Sequence, residues 1–187
     1  PAIVRMRDTS VRPFARVPFI ARMIGASRLH VPTFLELKAD STATPHGIAV
    51  VVMAGLAISF GAEEGLDLSL AFAFNWVLWW VVWVFLLYVI GPGVFRSPRE
   101  DSDWGQMART TGFAQSPAVL LIFLSFVPGG LSATPHFMVV TIVGLWWFAS
   151  TMVAVRESLH IKNNLHAVAT AAMWFLPSIL IEVGLLS

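Results

Sequence analysis

Apolar residues in this chain are gathered into blocks, and polar residues into the short connections between them. Gly47 to Phe60, Leu68 to Ile90, Phe113 to Val127, Phe137 to Val155 and Leu165 to Leu186 hold almost all of the hydrophobic content. A helix that crosses a bilayer needs about 20 apolar residues, with a range of roughly 17–25. The second, fourth and fifth blocks reach that length unaided. The first reaches it if Thr44 acts as N-cap and Pro45 as the first helical residue, where a missing N–H costs nothing. The third lies between Pro117 and Pro128 and is too short to cross alone. It can cross as a kinked helix that starts near Asp103 and runs through Pro117, which is the expectation here, or as a span that begins at the interface near Arg109. The pattern thus predicts an all-α fold, a polytopic membrane helix bundle of about five transmembrane helices. The spans fall near 45–62, 68–91, 109–128, 135–156 and 164–186.

Charge sets the expected orientation. Of the twelve Lys and Arg, Arg5, Arg7, Arg12, Arg16, Arg22, Arg28 and Lys38 precede the first span. Arg96, Arg99 and Arg109 follow the second span, and Arg156 and Lys162 follow the fourth. The other two connections, 61–67 and 129–134, contain none, and Glu63, Glu64 and Asp67 make the first of them acidic. Under the positive-inside rule this alternation places the N-terminus in the cytoplasm and the C-terminus on the opposite side. The chain divides accordingly into a basic, partly amphipathic cytoplasmic segment over 1–43 and a five-helix transmembrane domain over 44–187. Between Val11 and Leu29, Arg12, Arg16, Arg22 and Arg28 interleave with Phe14, Phe19, Ile20, Met23, Ile24 and Leu29. That mixture suits a helix in the anionic headgroup layer, or a tail that obeys the charge rule without folding. Pro13 and Pro18 oppose a regular helix before about residue 18.

Composition narrows the picture further. The chain is 57% hydrophobic and 12% charged, against roughly half and a quarter in soluble domains. No compact apolar run with a cleavage site occupies residues 1–40, so the first span is expected to serve as the insertion signal. Cysteine is absent, which excludes disulfides.

Several stretches resemble the prokaryotic branch of the Yip1 family: Ala26-Ser27-Arg28-Leu29 with Thr33-Phe34 and Ala39-Asp40, then Arg109 to Pro117 (RTTGFAQSP), then Val153-Ala154-Val155-Arg156-Glu157. The similarity extends over nearly all of the chain after about residue 22. It implies a five-helix bundle with a cytoplasmic N-terminus in the prokaryotic inner membrane, in a family whose eukaryotic members are associated with vesicle trafficking, small GTPases and membrane shaping. Ser158, His160 and His166 depart from the residues usual there, Ala, Asp and Arg.

Candidate chemistry is sparse. Arg109, Gln115, Arg156 and Glu157 are the polar groups nearest the expected cytoplasmic surface, and Arg109, Arg156 and Glu157 are expected to cluster or to snorkel to the interface. Gly112 and Ser116-Pro117 mark a hinge or close approach, because Pro117 frees a carbonyl one turn earlier that a Ser hydroxyl can satisfy. Pro177 does the same in the fifth span. Phe72, Trp76, Trp79, Trp80 and Trp83 form one helical stripe, offered either to internal packing or to another helix, a lipid or a pigment. Ser150, Ala154 and Ser158 form a row of small residues that permits close helix approach. His166 is the one weak cofactor-ligand candidate, and no metal-ligand spacing accompanies it. No catalytic signature or nucleic-acid surface is present. The expected class is a non-enzymatic organiser of membrane or protein partners, without a cofactor and with bound lipid. The alternatives are an accessory subunit of a respiratory or photosynthetic complex, docking through its Trp-rich helices, and a small oligomeric transporter.

Overall fold

A computed structural model describes residues 17–61, 66–95, 103–126 and 134–161, with Val168 and Ala172. Every element among them is helical. In order they are α1 (Phe19–Ser27), α2 (Val31–Ala39), a 3-10 turn (Ser41–Ala43), α3 (Thr44–Gly61), α4 (Leu66–Phe95), α5 (Trp104–Phe113), a 3-10 helix (Ser116–Phe126) and α6 (Thr134–Ser158). Three stretches are long and apolar enough to cross a membrane: Ser41–Gly61, Leu66–Val89 and Pro135–Ser158. Apart from Val168 and Ala172, the expected fifth span lies outside the described residues, His166 and Pro177 included, as does the arm before Val17.

The bundle is apolar outside and partly polar inside. Phe74, Leu78 and Phe85 of α4 are exposed, as are Phe137, Ile142 and Leu145 of α6 and Phe123 and Phe126 of the 3-10 helix. Buried between helices, Ser59 Oγ donates to Ser69 Oγ at 3.1 Å, joining α3 to α4. A soluble domain rarely leaves so much contiguous apolar surface uncovered, whereas a lipid-facing bundle presents hydrocarbon outwards and uses polar groups as interhelical contacts. The chain is an integral membrane protein on this pattern and on its three long apolar helices.

Two elements differ from expectation. Thr44 is already helical (φ −57°, ψ −51°), and Asp40 takes the capping role four residues earlier, its side chain accepting from the Thr42 N–H at 3.0 Å. The helix through Pro117 is not continuous: α5 stops at Phe113, and the chain resumes at Ser116 wound as a 3-10 helix. Pro117 has no N–H to give the Phe113 carbonyl, and Ser116 Oγ donates to that carbonyl instead at 2.6 Å. The tighter winding rises about 2.0 Å per residue instead of 1.5 Å, so the 11 residues of this segment extend roughly 22 Å.

The first two helices form a hairpin. Pro18 immediately precedes α1, and α1 ends in a Schellman turn: the Leu29 N–H donates to the Ala26 carbonyl and the His30 N–H to that of Gly25, both at 3.0 Å. Leu29 takes the left-handed conformation this motif requires (φ 57°). The hairpin packs through Ala26, Phe34 and Leu37 onto Val50, Phe113 and Ala154, a second core beside the main one built on Val51, Trp80, Trp83 and Met107.

Candidate functional site

The segment Arg109–Pro117 is the hub of the bundle, and residues 109–113 each meet a different helix. All of it is buried. Arg109, 5% exposed, turns to α2: Nε donates to the Leu37 carbonyl and Nη2 to that of Lys38, both at 2.9 Å. The last carbonyls of a helix lack intrahelical partners, and a cation there also meets the negative end of the helix dipole. Arg109 therefore closes the C-terminus of α2 from another element. Thr110 Oγ1 shares a 2.6 Å hydrogen bond with Ser158 Oγ of α6. Thr111 Oγ1 accepts from the Trp80 indole of α4 at 3.2 Å. Gly112 lies against the backbone of Gly47 in α3, so close that a Cβ would sit 2.8 Å from the Gly47 oxygen. The Phe113 ring meets Phe19 of α1 edge-on, centroids 5.9 Å apart. Gln115 Oε1 accepts from the Trp76 indole at 2.7 Å.

This disposition separates residues that sequence reasoning grouped together. Arg109 is not joined to Arg156 and Glu157, because the α2 carbonyls occupy its guanidinium. Arg156 Nε instead lies 3.5 Å from the carboxylate of its own neighbour, Glu157, at the exposed end of α6. The tryptophan stripe turns inwards: Trp80 and Trp83 are buried, Trp76 and Trp79 are half-buried, and Trp76 stacks obliquely on Trp147 at 5.5 Å. The row of small residues is an interface. Ser150 Oγ donates to the Ala26 carbonyl at 3.2 Å, Ala154 is fully buried under the hairpin, and Ser158 meets Thr110.

A second charged group, inside the hairpin, had no signal in helix periodicity. Arg22 Nη2 reaches Glu36 Oε1 at 2.6 Å and also binds Asp40. Burial opposes the Arg22 charge, but hydrogen bonds and attraction from the two carboxylates outweigh it and hold its pKa above the ordinary arginine value. The Thr42 hydroxyl, joined by Arg22 and the Thr42 N–H, holds the Asp40 carboxyl below its usual range against the opposing effect of burial. The spacing Arg22, Glu36, Asp40 could have pointed to this group only once residues 19–39 were known to fold back. Lys38 reaches the C-terminal end of α6, with Nζ 3.0 Å from His160 Nε2 and donating to the Glu157 carbonyl at 3.4 Å.

Among the described residues no group of three or more His, Asp or Glu is placed to hold a metal. What the arrangement does is mechanical: it fixes a short hairpin along one flank of α6. Lys38 contacts α6 at residues 157–160, whereas the hairpin tip contacts it at Ser150 and at Trp146, whose indole donates to the Ser27 carbonyl. Comparison with family models, curated proteins and solved structures finds no match for this chain.

Proposed function

We propose that this chain is a non-enzymatic, Yip1-like protein of the prokaryotic inner membrane that organises the cytoplasmic leaflet through the α1–α2 hairpin. In this reading the chain crosses five times with its N-terminus in the cytoplasm, α5 and the following 3-10 helix together forming the third crossing. The single observation that carries it is the placement of the hairpin tip. Ala26 is held at Ser150, eight residues inside the end of α6 that bears Ser158, and eight helical residues rise about 12 Å. The hairpin therefore descends part-way along a span and stops. Its outer face is apolar: Ile20, Ile24, Val31 and Leu35 are all exposed. A half-inserted apolar wedge present in one leaflet only expands that leaflet relative to the other. Arg109, Ser150 and Trp146 keep the wedge attached to the bundle, and the ion triad holds its two helices together, so the displaced lipid volume is fixed in place.

The inward-facing tryptophan stripe counts against the accessory-subunit reading, since that surface is spent on internal packing. The 3-10 segment, whose freed carbonyl Ser116 already occupies, leaves the transporter reading without an open polar backbone at its break.

Reconstitution tests the proposal. Vesicles carrying the full chain are expected to shrink or tubulate as the protein-to-lipid ratio rises. A variant carrying Ile20→Ser, Ile24→Ser and Leu35→Ser, all at exposed positions, should leave vesicle diameter unchanged. Equal remodelling by both would refute the wedge. Orientation is tested separately, because a chain without cysteine permits single-cysteine labelling without background. Ser10→Cys and Ser97→Cys should react with impermeant maleimide only from the cytoplasmic side, and Ser132→Cys only from the other.

A further inference from the structure

An apolar groove of about 420 Å³ lies where α1, the 3-10 helix and α6 converge. Its walls are Ile20, Met23 and Ile24 of α1, Val119 and Leu120 of the 3-10 helix, and Trp146 of α6. Two polar atoms of its lining are already committed: Ser116 Oγ donates to the Phe113 carbonyl, and the Ser27 carbonyl accepts from Trp146. The volume lies within the range of about 300–1,000 Å³ typical of small-molecule sites. At its rim stands one cation, the exposed Arg28.

Arg28 differs from the other described cations. Arg22 is held by Glu36 and Asp40, Arg109 by two carbonyls, Arg156 lies against Glu157, and Lys38 reaches Glu157 and His160. Arg28 has no hydrogen-bonding or ionic side-chain partner among the described residues. It nevertheless follows the last residue of a helix that runs down the flank of a span, where an unpaired guanidinium is costly unless an anion meets it. An apolar channel with a single arginine at its mouth complements one kind of molecule: a hydrocarbon chain joined to an anionic, bidentate acceptor.

We propose that this groove binds one anionic phospholipid, an acyl chain lying between α1, the 3-10 helix and α6 and the headgroup phosphate paired with Arg28. The proposal rests on the hairpin lying in the leaflet, and it names the lipid site through which the hairpin acts. A transmembrane helix of a partner would fill the apolar walls but bring no anion to Arg28. The bound headgroup would sit below the level of its neighbours, because Arg28 follows the tip that Ser150 and Trp146 hold inside the span.

The test uses the full chain, delipidated in mild detergent, with phosphatidylglycerol and phosphatidylcholine of identical acyl chains as probes and native mass spectrometry as readout. One phosphatidylglycerol is expected per chain, preferred over phosphatidylcholine by about tenfold: both lipids carry the phosphodiester, but in phosphatidylcholine the trimethylammonium already neutralises it and meets Arg28 as a like charge. Arg28→Gln should abolish the preference while leaving phosphatidylcholine binding in place, and Arg28→Lys should retain part of it. Leu120→Trp, at an exposed groove position, should weaken both lipids together. Equal affinity of the unmodified chain for the two lipids would overturn the proposal without any variant being needed. So would a preference that survives Arg28→Gln, binding untouched by Leu120→Trp, or a groove that retains a second protein and excludes lipid. Release of the chain from membranes by alkaline carbonate would instead sink the membrane reading itself, so the two failures are distinguishable.

Discussion

The guanidinium of Arg109 donates to the main-chain carbonyl of Leu37 at 2.9 Å, so a side chain of α5 completes a helix that lies 72 residues earlier in the chain. A second bond to Lys38 makes the contact bidentate. Both acceptors are orphan carbonyls of the last turn of α2, and without Arg109 the buried one would have no donor.

Arg109→Ala is therefore expected to destabilise the docked hairpin by about 1.5–3 kcal/mol, the range for hydrogen bonds to a charged group. Arg109→Lys should recover part of that, because an ammonium can reach one carbonyl but cannot span two as a planar fork does. Hydrogen exchange of the α1 and α2 amides in detergent or nanodiscs measures it. The loss should be confined to residues 19–39 and leave α4 protected. Unchanged protection in Arg109→Ala would show that the hairpin is held by packing alone.

The Gly112–Gly47 approach makes a second prediction with its own control. A Cβ on Gly112 would lie 2.8 Å from the Gly47 oxygen and 3.0 Å from its Cα, backbone atoms that cannot turn aside. Gly112→Ala should cost about 1–3 kcal/mol by forcing α3 and α5 apart. Gly144 in α6 has nothing within 4 Å of the same position. Gly144→Ala should be neutral or stabilising by up to about 1 kcal/mol, from helix propensity alone. Thermal unfolding of the two variants side by side decides it; an equal response would mean that the close approach is not tight.

These contacts explain why some of the structure was legible in the sequence and some was not. The helices α3, α4 and α6 lie where apolar blocks place them, because hydrocarbon length is a property of composition. A disturbance at Pro117 was readable, since proline removes a donor wherever it stands, and Ser116 beside it announced the compensating hydroxyl; but a kink in a continuous helix was expected, and the helix instead stops at Phe113. The 3-10 winding that follows was not readable, because a missing N–H specifies an interruption and leaves the next geometry to packing. The partners of Arg109 left no trace, as main-chain carbonyls are the same at every residue. The hairpin turn was equally silent. Its left-handed position is normally marked by glycine or asparagine, but Leu29 occupies it here, and His160 takes the same conformation after α6 (φ 51°). His160 had stood out only as a departure from a family pattern; in the structure it ends a helix and meets Lys38.

The ion triad predicts a pH dependence whose sign follows from Asp40. Its folded-state pKa lies below the ordinary aspartate value, chiefly because Thr42 bonds the carboxylate and Arg22 pairs with it. Below the ordinary value the unfolded hairpin takes up a proton that the folded one resists, so stability must rise with pH there. The contribution is complete above about pH 4–5 and is lost as pH falls through the ordinary aspartate value of about 3.9 towards the depressed one. Arg22, its pKa raised, stays charged throughout and adds no slope in that window. A melting series from pH 7 to pH 3 should therefore show the advantage of the native chain over Asp40→Asn shrinking through the acid end. Thr42→Ala should make that loss smaller and end it at a higher pH, since it removes the largest cause of the shift and brings the folded-state pKa back towards the ordinary aspartate value. A constant difference between the native chain and Asp40→Asn across the whole series would mean that the carboxylate's charge does nothing to hold the hairpin, leaving Arg22 to Glu36 alone.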